Sequence, residues 1–583
     1  MKKQSYLKGA FILVLANGLV KVIGALFKIP LANIIHEEGM AIFSTAYNLY
    51  ACMFVIATAG LPVAVSKMVS ASLAKNNYNE TKKIFRAALT LLMLIGLAGT
   101  IVLILGARIF AVQMVNSPSS YLSIIAISPA IFFVSVLSAF RGYFQGFSDM
   151  LPTALSEVAE ALGKLIIGLL LAYILLPTGI ENGAAGAVLG VTAGTFLGCI
   201  VMFVTYVTRK NKMSLNGPTA IYDPQTGSTR KIFIELAKLA VPITIGAAVT
   251  SLTNVIDVVM IRQRLQTISI TQEIYTALTE FYGLSPIDVT IGKLMTIKPS
   301  EILYGAYSGF AIPLFNLPPT IIMSLSMSVV PFISGAFATN NKPEVKKLSE
   351  STLRITILFS VPCAIGLSVL SEPILTAVYN NARASSMLIL LAYAVIFVSL
   401  VSVSTAMLQG IGRVMIPVRN MVIGGVVKII TNYILIAIPT MNIGGAPIST
   451  VLCYCVIAIL NLISVKRIMG ANLSPSSFVF RPAIAGGIMG VGAYFAYQMS
   501  AKFLNIAPLS LLITFTPQNS PVTPLPSGIR LRVIIALGIA IIAAVLIYGV
   551  AIFILKLVKR EDVLMMPKGK SLVKILDKFK LLS

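Results

Sequence analysis

The stretch SASLAKNNYNETKKI at residues 70–84 returns as SGAFATNNKPEVKKL at residues 334–348, an offset of 264 residues from position 70 to position 334. At the same offset, FVSVLSAFRGYFQG (133–146) returns as FVSLVSVSTAMLQG (397–410). Apolar stretches match by chance, but the polar pattern AxNNxxExKK at a shared offset indicates an internal repeat. The chain is therefore predicted to contain two halves with the same order of elements.

The composition places both halves in a membrane. Only 11% of the 583 residues are charged, whereas a soluble protein has about 25%, and the mean hydropathy is +0.92. A surface so poor in charge cannot keep a protein of 62.2 kDa in water. The formal net charge of +25 resembles that of a nucleic-acid-binding protein, but the low total charge argues against nucleic acid as a partner.

Apolar segments of about 20 residues, the length that crosses a bilayer as a helix, occur about fourteen times. The sequence therefore predicts an all-α polytopic membrane protein with two pseudo-symmetric six-helix lobes and two further C-terminal helices. The predicted lobes are residues 1–230 and 231–470, followed by helices thirteen and fourteen in 471–556 and a basic amphipathic tail in 557–583. The predicted helices lie near 8–33, 41–66, 88–112, 121–144, 152–176, 184–208, 236–261, 302–333, 352–376, 386–411, 415–438, 444–465, 482–503 and 531–556.

An even number of predicted helices separates the repeats, so both halves have the same orientation. Transporters built from such parallel repeats bind substrate between the halves near the membrane midplane and alternate access. Most of the 45 Lys and Arg residues fall in alternate connections and in the tail, which predicts cytoplasmic N- and C-termini. The tail is expected either to lie on anionic lipids of the inner leaflet or to be a solvated basic segment.

Four lysines inside apolar segments are not explained by topology: Lys21, Lys28, Lys164 and Lys428. A charge in the middle of a membrane helix costs at least about 2.5–3.5 kcal/mol, so it usually faces a cavity or a partner. Lys21 and Lys28 are seven residues apart and share a helix face with Asn17. Because cations dominate, we expect a cavity for an anionic ligand such as a pyrophosphate.

Carboxylates accompany the lysine of the fifth predicted helix. Glu157, Glu160 and Lys164 lie on one helix face, and Glu160 and Lys164 have the i, i+4 spacing of an ion pair. Glu160 and Lys164 form either a neutral intrahelical pair, or Lys164 faces the ligand while Glu157 and Glu160 belong to a polar network that couples transport to an ion. Asp257, in the outer half of the seventh predicted helix, is a second candidate for ion coupling.

The sequence gives little support to enzymatic chemistry. It has no Walker A pattern, no histidine cluster and no CxxC pair, so we expect no cofactor, no metal site and no ATP hydrolysis. Tyr47, Asn48 and Tyr50 are candidates for contacts to a sugar, although an interfacial aromatic belt explains the tyrosines as well.

Four stretches resemble a known family, the stage V sporulation protein B group of polysaccharide biosynthesis proteins. They are KGAFILVLANGLVKVIGALFKIPLANII (8–35), GLPVAVSKMVS (60–70), RGYFQGFSDMLPTALSEVAEALGKL (141–165) and LQGIGRVMIPVRN (408–420). That group belongs to the superfamily of MATE exporters, Wzx-type oligosaccharide flippases and MurJ-type lipid II flippases.

The resemblance implies a MATE-like fold of fourteen helices and alternating-access export of an undecaprenyl-pyrophosphate-linked sugar, with lipid II as the leading cargo. It places Lys21, before Val-Ile-Gly, where MurJ-type flippases have a basic residue that binds pyrophosphate, and Glu157, Glu160 and Lys164 in the polar fifth helix. It also implies the bacterial cytoplasmic membrane and the cell-wall synthesis machinery as surroundings.

Three alternatives stay open at this stage. The chain could carry another lipid-linked oligosaccharide, or it could be a MATE-type drug/ion antiporter, although a cationic drug favours an acidic cavity. A polytopic glycosyltransferase would need an acidic constellation at an outer loop, for which His36, Glu37 and Glu38 are the only candidates. The sequence does not identify the cargo, the coupling ion or the oligomeric state.

Overall fold

The computed structural model describes residues 6–58, 60–74, 77–147, 149–214, 229–267, 299–438, 441–471, 476–506 and 527–558. These residues contain helices and no strand. Ten of their helices are long and apolar enough to cross a membrane, or eleven if the bent pair Ser385–Ala392 and Ala394–Gly410 is one span. The all-α membrane fold is therefore confirmed, and the described helices are consistent with the predicted count of fourteen.

Seventeen α-helices follow one another along the described residues. The first unit of the chain contains α1 (Tyr6–Thr58), α2 (Leu61–Ala74), α3 (Tyr78–Arg108), α4 (Tyr121–Gly146), α5 (Leu151–Leu175), α6 (Ile180–Ser214) and most of α7 (Thr229–Thr267). The second contains α8 (Pro299–Gly305), α9 (Ile312–Ala338), α10 (Lys342–Val369), α11 (Ser371–Tyr379), α12 (Ser385–Ala392), α13 (Ala394–Gly410), α14 (Met415–Leu435), α15 (Gly445–Met469), α16 (Arg481–Phe503) and α17 (Ser527–Ile554).

The chain divides into two compact units, residues 1–263 and 264–583. The core of the first unit includes a cluster of aromatic rings around Phe85, whose ring centroid lies 4.4 Å from that of Tyr143. In the second unit, α16 and α17 pack together through small residues such as Ala493 and Ala540. Most of the predicted tail, residues 559–583, lies outside the described residues.

Helix α1 is two arms joined by a sharp break. His36 has φ 53° and ψ −166°, which is not a helical conformation, and the arms on either side correspond to the first two predicted helices. The second arm ends at Thr58 and α2 begins at Leu61, so the predicted end of the second helix at residue 66 is wrong. The reason is Pro62, which has no N–H to donate to a continuing helix and fits the first turn of a new one.

The internal repeat is visible in where the helices begin. Helices α3, α4 and α5 begin at residues 78, 121 and 151, and α10, α12 and α14 begin 264 residues later at 342, 385 and 415. The repeated polar pattern is a helix cap, because the Asn77 side chain accepts a hydrogen bond from the Glu80 N–H at 3.0 Å and Asn341 accepts one from the Glu344 N–H at 3.3 Å.

Glycines bring α5 and α6 together so closely that no side chain fits between them. A Cβ on Gly190 would lie 2.2 Å from the Cα of Gly168, and a Cβ on Gly194 would lie 2.4 Å from the backbone oxygen of Glu160. Small residues at such contacts let membrane helices approach until their backbones touch. The position of α5, which carries Glu157, Glu160 and Lys164, is therefore fixed by its contact with α6.

Candidate anion-binding site

Three segments of the first unit build the candidate site: the two arms of α1 and the middle of α5. The break at His36 turns the second arm back along the first, so the ring centroids of Phe27 and Phe43 lie 5.9 Å apart. Phe43 in turn stacks on Tyr47, with centroids 5.6 Å apart and an interplanar angle of 13°. This column of rings holds Tyr47 beside α5.

Two lysines from different helices meet at the Tyr47 ring. The Lys28 Nζ lies 5.7 Å from the ring centroid, and the Lys164 Nζ lies 4.6 Å from it. Lys164 Nζ is also 4.9 Å from the ring centroid of Phe27. Both distances to Tyr47 are within the range of a cation–π interaction. In the described part of the chain, neither lysine forms an ion pair with a carboxylate.

Glu160 pairs with an arginine of α4 instead of the lysine one turn away. Arg141 Nη2 donates to Glu160 Oε2 at 3.0 Å, and Arg141 Nε donates to Ser156 Oγ at 3.1 Å. The i, i+4 pair of Glu160 with Lys164, one of the two predicted arrangements, is therefore not present. The guanidinium presents donors on Nε and Nη2 in a fixed fork, so one side chain reaches both α5 partners at once.

The structure places the remaining predicted residues of the first unit as follows. Lys21, on the first arm of α1, is exposed, and Asn48, on the second arm, is half-buried. Glu157 is half-buried on α5, and its Oε2 has no hydrogen-bond partner among the described residues. Asp257 is half-buried on α7. The side chain of Asn17, on the same arm as Lys21, is outside the described part of the chain.

Lys428 lies in the second unit. It is 7% exposed on α14, on the helix face that also buries Asn420 and Asn432. Asn420 Nδ2 donates to Asn461 Oδ1 at 2.8 Å, so an amide pair joins α14 to α15. Sequence reasoning anticipated Lys428 from the repeat but did not anticipate these amides.

Sequence reasoning also missed two residues of the first unit. Arg141 counts as a cytoplasmic cation by its position between predicted helices four and five, yet it lies at the end of α4 with its side chain 11% exposed. Tyr47 was a candidate only for sugar contact, not for contact with lysines. The repeat does indicate a special role for Arg141. Its counterpart in the second half is Thr405, so the packing of this helix does not require an arginine here.

The arrangement favours an anion with more than one charge. Two ammonium groups without a carboxylate partner, in an apolar segment, carry a large cost unless a ligand compensates them. A phosphate oxygen accepts strong, charge-assisted hydrogen bonds from an ammonium group. A diphosphate provides enough oxygens for both lysines, whereas a cationic ligand would be repelled.

Comparison with known proteins gives two family matches. Residues 6–337 match the family described as polysaccharide biosynthesis proteins, and residues 305–434 match the MatE family. The first match covers more than half of the chain. The two matches together extend from the first unit into the second, as far as residue 434.

Two relatives from Bacillus subtilis (strain 168) are similar over most of their length. The protein named Lipid II flippase MurJ is 28% identical over 484 residues, which are 80% of this chain and 83% of the relative. Stage V sporulation protein B is 25% identical over 485 residues, covering 83% of this chain and 88% of the relative.

A solved structure has the same fold. The structure described as "Lipid II flippase MurJ, inward closed conformation" aligns with a TM-score of 0.61 at 17% identity, covering 93% of this chain and 99% of the other. At that identity the likeness shows the fold and nothing finer.

Proposed function

We propose that this chain, which belongs to the polysaccharide biosynthesis protein family, is a flippase for an undecaprenyl-pyrophosphate-linked cell-wall precursor. Its relatives carry the names of a flippase and a sporulation protein, and its fold is that of MATE and MurJ transporters. We take lipid II as the leading cargo because one relative is named for it.

The observation that carries the proposal is the meeting of Lys28 and Lys164 at one ring. Their ammonium groups lie 5.7 and 4.6 Å from the Tyr47 centroid, and Glu160, the nearest acidic residue along α5, is already paired with Arg141. The pyrophosphate of a lipid-linked sugar supplies the negative charge that this part of the membrane segment lacks. Asn48, next to Tyr47 in sequence, is proposed to contact the sugar.

Lys21 is proposed as the residue that first receives the head group. It is exposed on the first arm of α1, whereas Lys28 is half-buried on the same arm. Seven residues of helix place the two lysines on one face, about 10 Å apart along the axis. The pyrophosphate would therefore move from an accessible lysine to the Lys28 and Lys164 pair while it stays in contact with positive charge.

A membrane potential that is negative inside favours the return of a positively charged empty site toward the cytoplasm. Each elementary charge that crosses the full potential contributes about 2.3 kcal/mol per 100 mV. Glu157 and Asp257 are proposed as the residues that couple transport to an ion, and Lys428 as a second-unit contact with the ligand. The protein would act in the bacterial cytoplasmic membrane with both termini inside, near anionic lipids and the cell-wall synthesis machinery.

Reconstitution into vesicles with lipid II tests the proposal directly. The appearance of lipid II in the outer leaflet is measured with an enzyme or a chemical label that cannot cross the membrane. We expect the wild type to flip lipid II, and a Lys28→Gln, Lys164→Gln double variant to lose at least about 100-fold of the rate, because two charge-assisted contacts are removed.

Lys67→Gln is the matched control, because Lys67 is an exposed lysine of the same unit on α2 and contributes to no part of the site. Flipping by the double variant at the rate of this control would contradict the assignment of the site. Absence of flipping by the wild type would contradict lipid II as cargo.

A drug/ion antiporter of the MATE type is the second candidate, and the match of residues 305–434 to the MatE family favours it. The lysines of the first unit argue against a cationic substrate. Efflux of a cationic dye from the same vesicles, driven by an ion gradient and unaffected in the Lys28→Gln, Lys164→Gln variant, would support the antiporter over the flippase.

A further inference from the structure

The geometry points to Tyr47 as the positioning residue of the anion site: its ring holds the ammonium groups of Lys28 and Lys164 over one place so that both meet the same diphosphate. This inference rests on the proposed function, because it assumes that the two lysines bind the pyrophosphate.

The two lysines come from different elements of the first unit and meet at one ring. Lys28 belongs to the first arm of α1 and Lys164 to α5, and both ammonium groups lie near the ring of a residue on the second arm. Like charges in a segment of low dielectric repel each other strongly, so an empty site of two lysines alone would spread apart. The negative face of an aromatic ring attracts both charges and opposes that spreading.

The ring is itself held in place. Phe43 stacks on Tyr47 from one side, and Tyr50 contacts it from the next turn with centroids 5.9 Å apart. Phe27, which lies beside Lys164, is packed against Gly168, where a Cβ would lie 2.8 Å from the phenylalanine ring. The column of aromatic rings thus fixes the position along the two helices at which the two ammonium groups meet.

A bound diphosphate does not require the lysines to leave the ring. An ammonium group has three N–H donors, and contact with a ring face leaves donors free for phosphate oxygens. The ring therefore stabilises the charged lysines in the empty and in the occupied site. Removing it costs affinity because the lysines must then be brought together by the ligand.

The full chain in detergent, titrated with inorganic pyrophosphate, provides the test. We expect Tyr47→Phe to bind within about threefold of the wild type, because a phenylalanine ring also attracts cations, and Tyr47→Leu to bind roughly tenfold more weakly. In the Lys28→Gln, Lys164→Gln background, Tyr47→Leu should have no further effect, since the ring then has no ammonium group to hold.

The sequence contains no tryptophan, which gives a direct spectroscopic readout. Tyr47→Trp places the only indole of the chain under the two lysines, and indole is the best ring for this interaction. Its emission should change on addition of pyrophosphate, and this change should disappear when Lys28 and Lys164 are both replaced by Gln. Phe54→Trp is the control, because Phe54 ends the aromatic column on the same arm and no lysine of the described residues lies over its ring.

Three outcomes of the binding and fluorescence experiments overturn the inference. Binding by Tyr47→Leu at wild-type affinity would show that the ring does not position the lysines, and loss of binding in Tyr47→Phe equal to that in Tyr47→Leu would assign the effect to the hydroxyl. An emission change that persists without the lysines would separate Tyr47 from them. If the wild type flips lipid II but any of these results is found, only this inference fails; if the wild type binds no pyrophosphate, the proposed site fails with it.

Phe54→Leu controls for a general loss of stability. It makes the same kind of change at a half-buried aromatic residue of the same arm. A Tyr47→Leu protein that melts at the temperature of Phe54→Leu but binds pyrophosphate more weakly supports the inference, and equal binding by the two variants contradicts it.

Discussion

In the first unit, Arg141 of α4 donates directly to Ser156 and Glu160 of α5. In the second unit, the equivalent helices α13 and α14 are instead linked through amide and hydroxyl groups by way of α15. Thr405 and Asn420 stand 264 residues after Arg141 and Ser156. In the second unit, Asn461 Nδ2 of α15 donates to Ser404 Oγ at 3.1 Å and to Thr405 Oγ1 at 3.2 Å. Its Oδ1 accepts a hydrogen bond from Asn420 Nδ2 at 2.8 Å.

The position of one glycine accounts for much of this difference. In the first unit the glycine is Gly194 of α6, so Glu160 of α5 keeps its side chain. In the second unit the counterpart of Glu160 is Gly424 of α14, where a Cβ would lie 2.3 Å from Ile457 Cγ1. A pair of membrane helices that must touch can place the small residue on either helix, and the helix that keeps its side chain can carry a charge there.

The largest expected effect comes from filling these two contacts. Gly194→Ala should destabilise the protein by about 3 kcal/mol, because the new methyl group meets the backbone of α5, which cannot move aside. Gly424→Ala should cost less, about 2 kcal/mol, because the nearest atom belongs to a side chain rather than to the backbone, although that side chain, Ile457, is buried and β-branched. Thermal unfolding measured with a thiol-reactive dye is practical, because all five cysteines are free.

Gly366→Ala is the control for these two variants, because, apart from its own helix backbone, no atom of the described residues lies within 4 Å of the position that a Cβ would take on Gly366. It should be neutral or slightly stabilising, as alanine favours a helix more than glycine does. Equal losses of stability in Gly194→Ala and Gly424→Ala would show that the two glycine contacts are alike. The position of the glycine would then not account for the difference between the units.

A smaller effect is expected from breaking the charged link of the first unit. Arg141→Leu leaves Glu160 without its cation, and we expect a loss of about 2 kcal/mol, less than for a fully buried pair because the Glu160 side chain is 23% exposed. Adding Glu160→Leu should restore at least half of this loss, since no charge is then left without a partner. Additive losses in a thermal unfolding series would contradict a direct pair.

The smallest effects should come from the two helix caps, where the units are alike. Asn77→Ala and Asn341→Ala each remove the side-chain acceptor that caps α3 or α10, and each should cost about 1 kcal/mol. Asn→Ser at either position keeps an acceptor and should remain near the wild type. A large difference between the two alanine variants would mean that the repeated pattern caps only one of the helices.

The caps also mark what the sequence predicts well. The pattern around Asn77 and Asn341 predicts the repeat because a cap needs particular side chains at fixed positions, and the structure shows the helices beginning at the same offset. The membrane fold follows from composition for a similar reason, since a spanning helix must be apolar along its length.

The site is less predictable because its contacts depend on distances between helices. The lysines of α1 and α5 can be recognised as unexplained charges, but their meeting at Tyr47 requires the break at His36 and the close contact of α5 with α6. Spacing along one helix favours Glu160 with Lys164, and a competing arginine from α4 decides otherwise. The repeat predicts like surroundings for Lys164 and Lys428, yet the former is half-buried and the latter buried.

The break at His36 has a consequence for how the protein is made. Lys28 and Tyr47 are separated by only 19 positions, so their contact can form once the two arms of α1 have left the ribosome. Lys164 is synthesised 117 residues after Tyr47, which at about 5–20 residues per second is roughly 6 to 23 seconds later. During that interval the two arms of α1 can already bring Lys28 to the Tyr47 ring. A chain that stalls before α5 would therefore contain Lys28 and Tyr47 of the proposed anion site but not Lys164.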